Sequence, residues 1–328
     1  ASAIPGATTA TFAAPFVRLC RATPVTPRHP KEPDMTLQTL EHDNATALFD
    51  IAPLQPSLGA LIAGIDLAKP LDRPTYDALR ATLLKYRVIF FRDQHLTREQ
   101  HIALGAAFGD LEEHPVFSLP DYPQILPLIS EELKERLPGG YRQTSDGNWH
   151  ADTTFRAEPS AASILIQRVS PSLGGDTVFA NAVASYETLD DETKEHIDGL
   201  TAIHDTRTFL RFLDTEEKRE ALQKTFPPVE HPVVRIHPET GEKVLYVNSV
   251  FTRHIVGLPE AESDALLAKL FNQVKRPEFQ VRWSWKPGSI AFWDNRATQH
   301  YAVPDYSEAR HMERVTIVGD RPVGPKSA

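Results

Sequence analysis

Short segments rich in β-branched and aromatic residues recur from residues 59–67 to residues 310–318. Helical patterns lie between them, but strand and helix seldom alternate as a βαβ repeat requires. These two observations predict a mainly β fold with flanking helices, a jelly-roll barrel. Such a barrel can hold a metal at its mouth on neighbouring strands. No linker divides the middle of the chain. One folded domain over residues 49–328 is therefore expected, behind an N-terminal extension over residues 1–48.

Composition narrows the function classes. The 328 residues are 41% hydrophobic, enough for a sizeable core. The formal charge of −9 argues against nucleic acid or an anionic membrane as the main partner. No apolar run is long enough to span a bilayer. The single cysteine, Cys20, rules out an intramolecular disulfide and fits a reducing, cytoplasmic setting. Residues 1–34 are rich in Ala, Thr and Pro and carry no acid before Glu32. They read as a disordered tail, an organelle transit peptide or an expression remnant. The prolines at 24, 27, 30 and 33 break any long helix and favour the tail.

The elements follow in order. Residues 59–67 are strand-like. Residues 76–86 place Leu79, Leu83 and Leu84 at helical spacing after Pro74. Residues 87–92, centred on Val88-Ile89-Phe90-Phe91, predict a buried strand bounded by Asp93-Gln94. Residues 98–108 predict a helix with Thr97 as N-cap. His114 stands before a proline and, taken alone, reads as structural. Residues 136–149 form a Gly-rich polar loop. Residues 161–169 and 176–180 read as strands around Gly174-Gly175, and residues 181–226 as largely helical. A hairpin is expected from residues 231–237 and 243–248. A helix over 260–274 follows, then strands over 281–285 and 289–293 on either side of Lys286-Pro287-Gly288. The last strand covers 310–318.

The chemistry centres on Asn148-Trp149-His150-Ala151-Asp152-Thr153-Thr154-Phe155. In a strand, His150 and Asp152 share a face and can aim at one point. With His300 they make two imidazoles and a carboxylate, the facial triad of non-haem Fe(II) oxygenases. A hydrogen-bonded strand pair is an equally good reading of His150 and Asp152 alone. His196 and Asp198 have the same spacing, but on a helix they point apart and form a solvated face. Arg310, Met312 and Arg314 share one face of the last strand. Two guanidiniums beside a metal suit two anionic groups. Surface positions are the commoner fate of arginine.

The order and spacing of several motifs decide between these readings. They are Asn148 to Phe155, Gly174-Gly175-Asp176-Thr177, Trp293-Asp294-Asn295-Arg296 through His300-Tyr301-Ala302, and Arg310 through Gly319-Asp320. The chain resembles the taurine dioxygenase (TauD/TfdA) family from about residue 56 to 323. The resemblance implies a double-stranded β-helix, cupin-like, with Fe(II) as metal and 2-oxoglutarate and O2 as co-substrates. It implies that His150, Asp152 and His300 bind iron, and that Arg310 and Thr177 hold the distal carboxylate of 2-oxoglutarate. His114 and Arg314 match residues that grip a substrate sulfonate, and Phe251 matches an aromatic of the substrate pocket. The stretch from Phe209 to Phe212 is expected to border that pocket. The implied reaction hydroxylates the carbon next to sulfur in a small sulfonate, taurine first. Its products are an aldehyde, sulfite, succinate and CO2. Retention of Asp152 argues against the related halogenases.

Two positions depart from the family's taurine enzymes. Asp146 stands where they have Asn, and Phe117 where they have Tyr. The first can pair with an ammonium; the second loses a hydroxyl and makes the pocket more apolar. Alkyl sulfate esters or another small anion are the alternative substrates, and a metabolite-binding barrel without turnover is the remote one. Homo-oligomerisation is a further expectation, with no interface legible in the sequence.

Overall fold

The computed structural model describes residues 48–114, 118–130 and 149–325. The predicted N-terminal extension, all but residue 48, therefore lies outside the described residues, and so does most of the polar loop over 136–149. Strand β1 (Asp50–Pro53) forms a hairpin with β2 (Ala60–Ala63). Helix α1 (Arg73–Tyr86) then carries the chain to β3 (Val88–Phe91), which is parallel to β2. Asp72 caps α1, accepting from the Thr75 amide at 2.9 Å. Helix α2 (Arg98–Ala106) starts with a full capping box. The Thr97 hydroxyl accepts from the Gln100 amide, and the Gln100 side chain accepts from the Thr97 amide.

Strands β4 (Ile125–Ile129), β5 (Ala162–Val169) and β6 (Thr177–Asn181) follow. Next come α3 (Ala182–Glu187), α4 (Asp191–Ile197), β7 (Thr201–His204), α5 (Arg207–Leu210) and α6 (Glu216–Thr225). Strands β8 (Val229–Pro232), β9 (Val234–Ile236), β10 (Lys243–Leu245) and β11 (Thr252–Ile255) precede α7 (Glu260–Gln273). The chain closes with β12 (Gln280–Trp283), β13 (Ile290–Asp294), β14 (Thr298–Ala302) and β15 (His311–Ile317).

A seven-stranded sheet in the order β1-β2-β3-β13-β5-β15-β4 faces a three-stranded sheet in the order β12-β6-β14. This is the predicted jelly roll. Alternation sorts the side chains of the large sheet. Phe90, Leu165, Ala291, Trp293 and Met312 turn towards the small sheet and meet Phe179, Val281 and Trp283. Ile89, Phe91, Ile164, Ile166, Ile290, Phe292 and Val315 turn the other way, against Leu79 and Leu83 of α1 and Leu104 of α2. Burial on both faces explains why β3 reads as an unbroken apolar run. A third core joins α3, α4 and α7 to β9, β10 and β11. No helix among the described residues is long and apolar enough to cross a membrane.

Several expectations need correction. The strands on either side of Lys286-Pro287-Gly288 do not pair with each other. β12 pairs with β6, while β13 pairs with β3 and β5, so this connection crosses between the sheets. The stretch 181–226 contains β7, which pairs with β8 and β11. Its four residues have their partners far along the chain, and local periodicity cannot register them. Residues 150–152 are not a regular strand. His150 forms a single bridge to His300, and the chain then turns at Thr153, whose φ is +54°. The donors therefore converge through a bridge followed by a turn.

Candidate active site

The donor cluster forms where residues 150–152 lie against β14. The His150 amide donates to the His300 carbonyl at 3.1 Å, and the His300 amide donates back at 2.8 Å. One ligand atom from each of His150, Asp152 and His300 lies within 4.8 Å of the other two. Nε2 of His150 is 3.8 Å from Asp152 Oδ1, and Nε2 of His300 is 3.9 Å from Asp152 Oδ2. Burial pushes the Asp152 carboxyl up, but the Arg314 guanidinium and the two histidines outweigh it and hold the group at about 2. Burial lowers His300 to about 3, so its imidazole is neutral. An ionised carboxylate beside a neutral imidazole is the state in which these donors bind a cation. Two imidazoles and a carboxylate with room beside them fit Fe(II).

The donors line a cavity of about 580 Å³ between the two sheets. Thr177, Phe251, His114, Arg310 and Arg314 line the same cavity. Phe117 and Asp146 lie outside the described residues. Arg310 precedes β15 by one residue but keeps the alternation, entering the cavity with Met312 and Arg314. Glu313 points the other way, to Arg98 and Arg168.

The surroundings fix each of these groups. Nε of Arg310 donates to the Gly175 carbonyl at 3.1 Å, and its guanidinium lies 5.6 Å from the Tyr306 ring centre. Burial lowers the Arg310 pKa. Gly175 has φ +73°, and a Cβ there would meet Arg310 Cδ at 3.2 Å, so glycine serves both the turn and the close approach. Nε1 of Trp285 donates to the Thr177 hydroxyl at 3.0 Å, which leaves the hydroxyl hydrogen available to an anion. Arg314 Nη1 donates to Asp152 Oδ1. His114 is lowered to about 3, by burial first and then by Arg314 and Arg156.

Phe155, Phe209 and Phe251 form an apolar wall, with ring centres 5.4–5.7 Å apart. Phe251 stands 6.2 Å from the His150 ring, which brings the wall beside the donors. Phe209 and Phe212 line the cavity as expected, joined by Arg207, Arg211 and Arg253. Phe155 and Trp285 were not singled out as site residues from sequence, although the first lies inside the central motif. Asn295, also in a motif, proves to hold Asp152 through its main chain.

A jelly-roll barrel with this donor set at its mouth is the frame of a non-haem iron oxygenase. The model of the family described as "Taurine catabolism dioxygenase TauD, TfdA family" matches residues 50–316. The chain belongs to this family and is a 2-oxoglutarate-dependent dioxygenase, working with Fe(II) and O2. It is 38% identical over 285 residues to an alpha-ketoglutarate-dependent sulfate ester dioxygenase of Pseudomonas putida, covering 84% of this chain and 91% of that protein. An alkylsulfatase of Acinetobacter baylyi is 36% identical over 290 residues, covering 86% and 88%. Among solved structures, a taurine dioxygenase from Burkholderia xenovorans superposes with a TM-score of 0.74 at 39% identity, covering 86% of this chain and 93% of that one.

Proposed function

We propose that the cavity binds 2-oxoglutarate on its Arg310–Thr177 side and a small organosulfur anion on its Arg314–His114 side. Such an anion is a sulfate ester or sulfonate with an apolar group. The observation that carries this reading is the sharing of one cavity by the His150, Asp152 and His300 donors and the Arg310 and Arg314 guanidiniums.

When bound by His150, Asp152 and His300, iron supplies the O2 chemistry that turns 2-oxoglutarate into succinate and CO2 and hydroxylates a substrate C–H bond. The chain's part is placement. Arg310 presents a planar donor fork to the distal carboxylate, and Thr177 adds its hydroxyl hydrogen. Arg314 and the neutral His114 hold the substrate's anionic head, setting the carbon that bears the sulfur group towards the metal. Phe155, Phe209 and Phe251 cover the rest of the substrate and exclude water. Hydroxylation of a sulfate ester at that carbon gives a hemiacetal sulfate, which collapses to an aldehyde and sulfate. A sulfonate gives an aldehyde and sulfite in the same way.

The wall favours the ester with an alkyl group over taurine. Among the described residues, Asp152 is the only carboxylate lining the cavity, so an ammonium finds no counter-charge there apart from a metal ligand. Three phenylalanines instead suit an alkyl chain. The names of the two relatives, a sulfate ester dioxygenase and an alkylsulfatase, agree with this choice. Taurine is the second reading; it rests on the solved taurine dioxygenase and on Asp146 as a partner for the ammonium.

The test is product release from hexyl sulfate, hexanesulfonate and taurine with Fe(II), ascorbate, 2-oxoglutarate and air. Sulfate from hexyl sulfate, equimolar with succinate and at a kcat/KM at least about tenfold above that for taurine, is expected. A preference for taurine would reverse the substrate choice. Failure of all three to raise succinate formation would overturn the organosulfur reading.

A further inference from the structure

Residues 150–152 lie antiparallel to β14, and His150 and His300 exchange both backbone hydrogen bonds. Continued in register, the ladder would set Asp152 opposite Thr298. It stops instead. The Thr298 hydroxyl bonds to the Asp294 carbonyl, and the other segment turns away at Thr153 with φ +54°. One side chain, that of Asn295, bonds both main-chain groups of Asp152, and the Ser160 hydroxyl adds a longer bond of 3.4 Å to the carbonyl. Its Oδ1 accepts from the Asp152 amide at 2.7 Å, and its Nδ2 donates to the Asp152 carbonyl at 3.0 Å. The same Nδ2 donates to the Ser160 carbonyl at 3.0 Å. The chemistry allows only one orientation of this amide, since the reverse would set donor against donor and acceptor against acceptor.

Taking His150, Asp152 and His300 as the metal ligands, we infer that Asn295 is a positioning residue for the carboxylate ligand. It acts as a substitute for the missing rung of the ladder. Asn295 is 1% exposed and stands five residues before His300, in the turn that joins β13 to β14. One side chain therefore ties Asp152 to the turn that leads into the strand carrying His300. The positive φ that follows Asp152 falls on a β-branched threonine, a conformation such residues rarely adopt. It persists because the surroundings over-determine it. Asn295 holds the residue before, and the Thr153 hydroxyl is bound to Ser160 through Oγ at 2.7 Å and the amide at 2.9 Å. Without Asn295 the Asp152 amide is buried without a partner and its carbonyl keeps only the Ser160 hydroxyl at 3.4 Å, so the segment moves to satisfy them. The carboxylate then leaves its place relative to His300.

The test measures Fe(II) affinity anaerobically by fluorescence quenching in the wild type, Asn295→Ala and Asn295→Asp, with Leu267→Ala in the third core as a stability control. The ratio of succinate to oxidised substrate is read alongside. Asn295→Ala is expected to weaken Fe(II) binding about 10–100-fold and to form succinate in excess of product. Asn295→Asp keeps the acceptor and the side-chain volume but loses both donations, and it is expected to fall between the wild type and Asn295→Ala. It decides the matter in the same way should Asn295→Ala not fold. Leu267→Ala is expected to lower the melting temperature while leaving Fe(II) affinity and coupling unchanged. Wild-type affinity and coupling in a folded Asn295 variant would reduce Asn295 to a packing role and overturn the inference. A wild type that binds no Fe(II) would instead bring down the metal assignment, and this inference with it.

Discussion

Arg314 donates through Nη1 to Asp152 Oδ1 at 2.5 Å, with both side chains more than nine-tenths buried. The same guanidinium lines the cavity, so one arginine touches both the carboxylate of the donor cluster and the cavity proposed to take the substrate. Arg310 lines that cavity too, but it is anchored on Gly175.

The two arginines should therefore separate kinetically. Arg310→Ala is expected to raise the KM for 2-oxoglutarate at least about 30-fold, as loss of a charge-assisted pair costs on the order of 2–5 kcal/mol. The substrate KM should change little. Arg314→Met is expected to do the reverse. Steady-state kinetics with each ligand varied in turn reads both effects. Equal changes in both constants for either variant would contradict the assignment of sides.

Acid stability should report the buried histidines. His101 is fully buried and donates through Nε2 to the Ile164 carbonyl at 3.0 Å. Burial lowers it to about 4, against 6.5 in the unfolded chain. Between those values the unfolded chain binds a proton that the folded chain does not, so stability falls as pH drops from about 6.5 to 4. The loss from His101 is about 2 kcal/mol at pH 5. His231, also lowered to about 4 chiefly by burial, acts in the same direction. Urea midpoints at pH 7.5 and 5 should differ less in His101→Leu than in the wild type. Equal differences would show that His101 does not carry the effect.

The turn between β13 and β14 rests on a buried charge network. Asp294 accepts from His237 Nε2 at 3.0 Å and from Arg296 through both carboxylate oxygens, and Arg296 also pairs with Glu239. Burial works against the Asp294 charge, but Arg296 and His237 outweigh it and hold the carboxyl below the usual range. Asp294→Ala leaves Arg296 with a single carboxylate partner and is expected to cost about 3–5 kcal/mol. That corresponds to a fall in melting temperature on the order of 10 °C. Asp77→Ala, which removes the exposed pair with Arg73, should barely move it. Differential scanning calorimetry of both variants decides the point.

Much of this was legible where local chemistry is strong. Thr97 and Gln100 announce the start of α2, and the apolar run from Val88 to Phe91 announces a strand buried on both faces. The donors and the two cavity arginines were legible from motif order. Strand β4 was not, because Pro127 interrupts its pattern. Proline is tolerated there because, among the described residues, β4 is the edge of the sheet and pairs only with β15. The turn at Thr153 was hidden for another reason. Threonine favours extended backbone, and the residues that override this preference, Ser160 and Asn295, are non-local to it. The separation of β12 from β13 was equally invisible, since Lys286-Pro287-Gly288 looks like a hairpin turn and only the partner strands reveal a crossing between sheets.

Substrate-triggered succinate formation tests the central claim most directly. Wild-type protein and His300→Ala would be compared with hexyl sulfate and 2-oxoglutarate in air, with and without Fe(II). Succinate should form with an equimolar amount of sulfate in the wild type, and only with Fe(II). In folded His300→Ala it should fall at least about 100-fold. Undiminished turnover in His300→Ala, or in wild type stripped of iron, would contradict a reaction carried out at the His150, Asp152 and His300 centre.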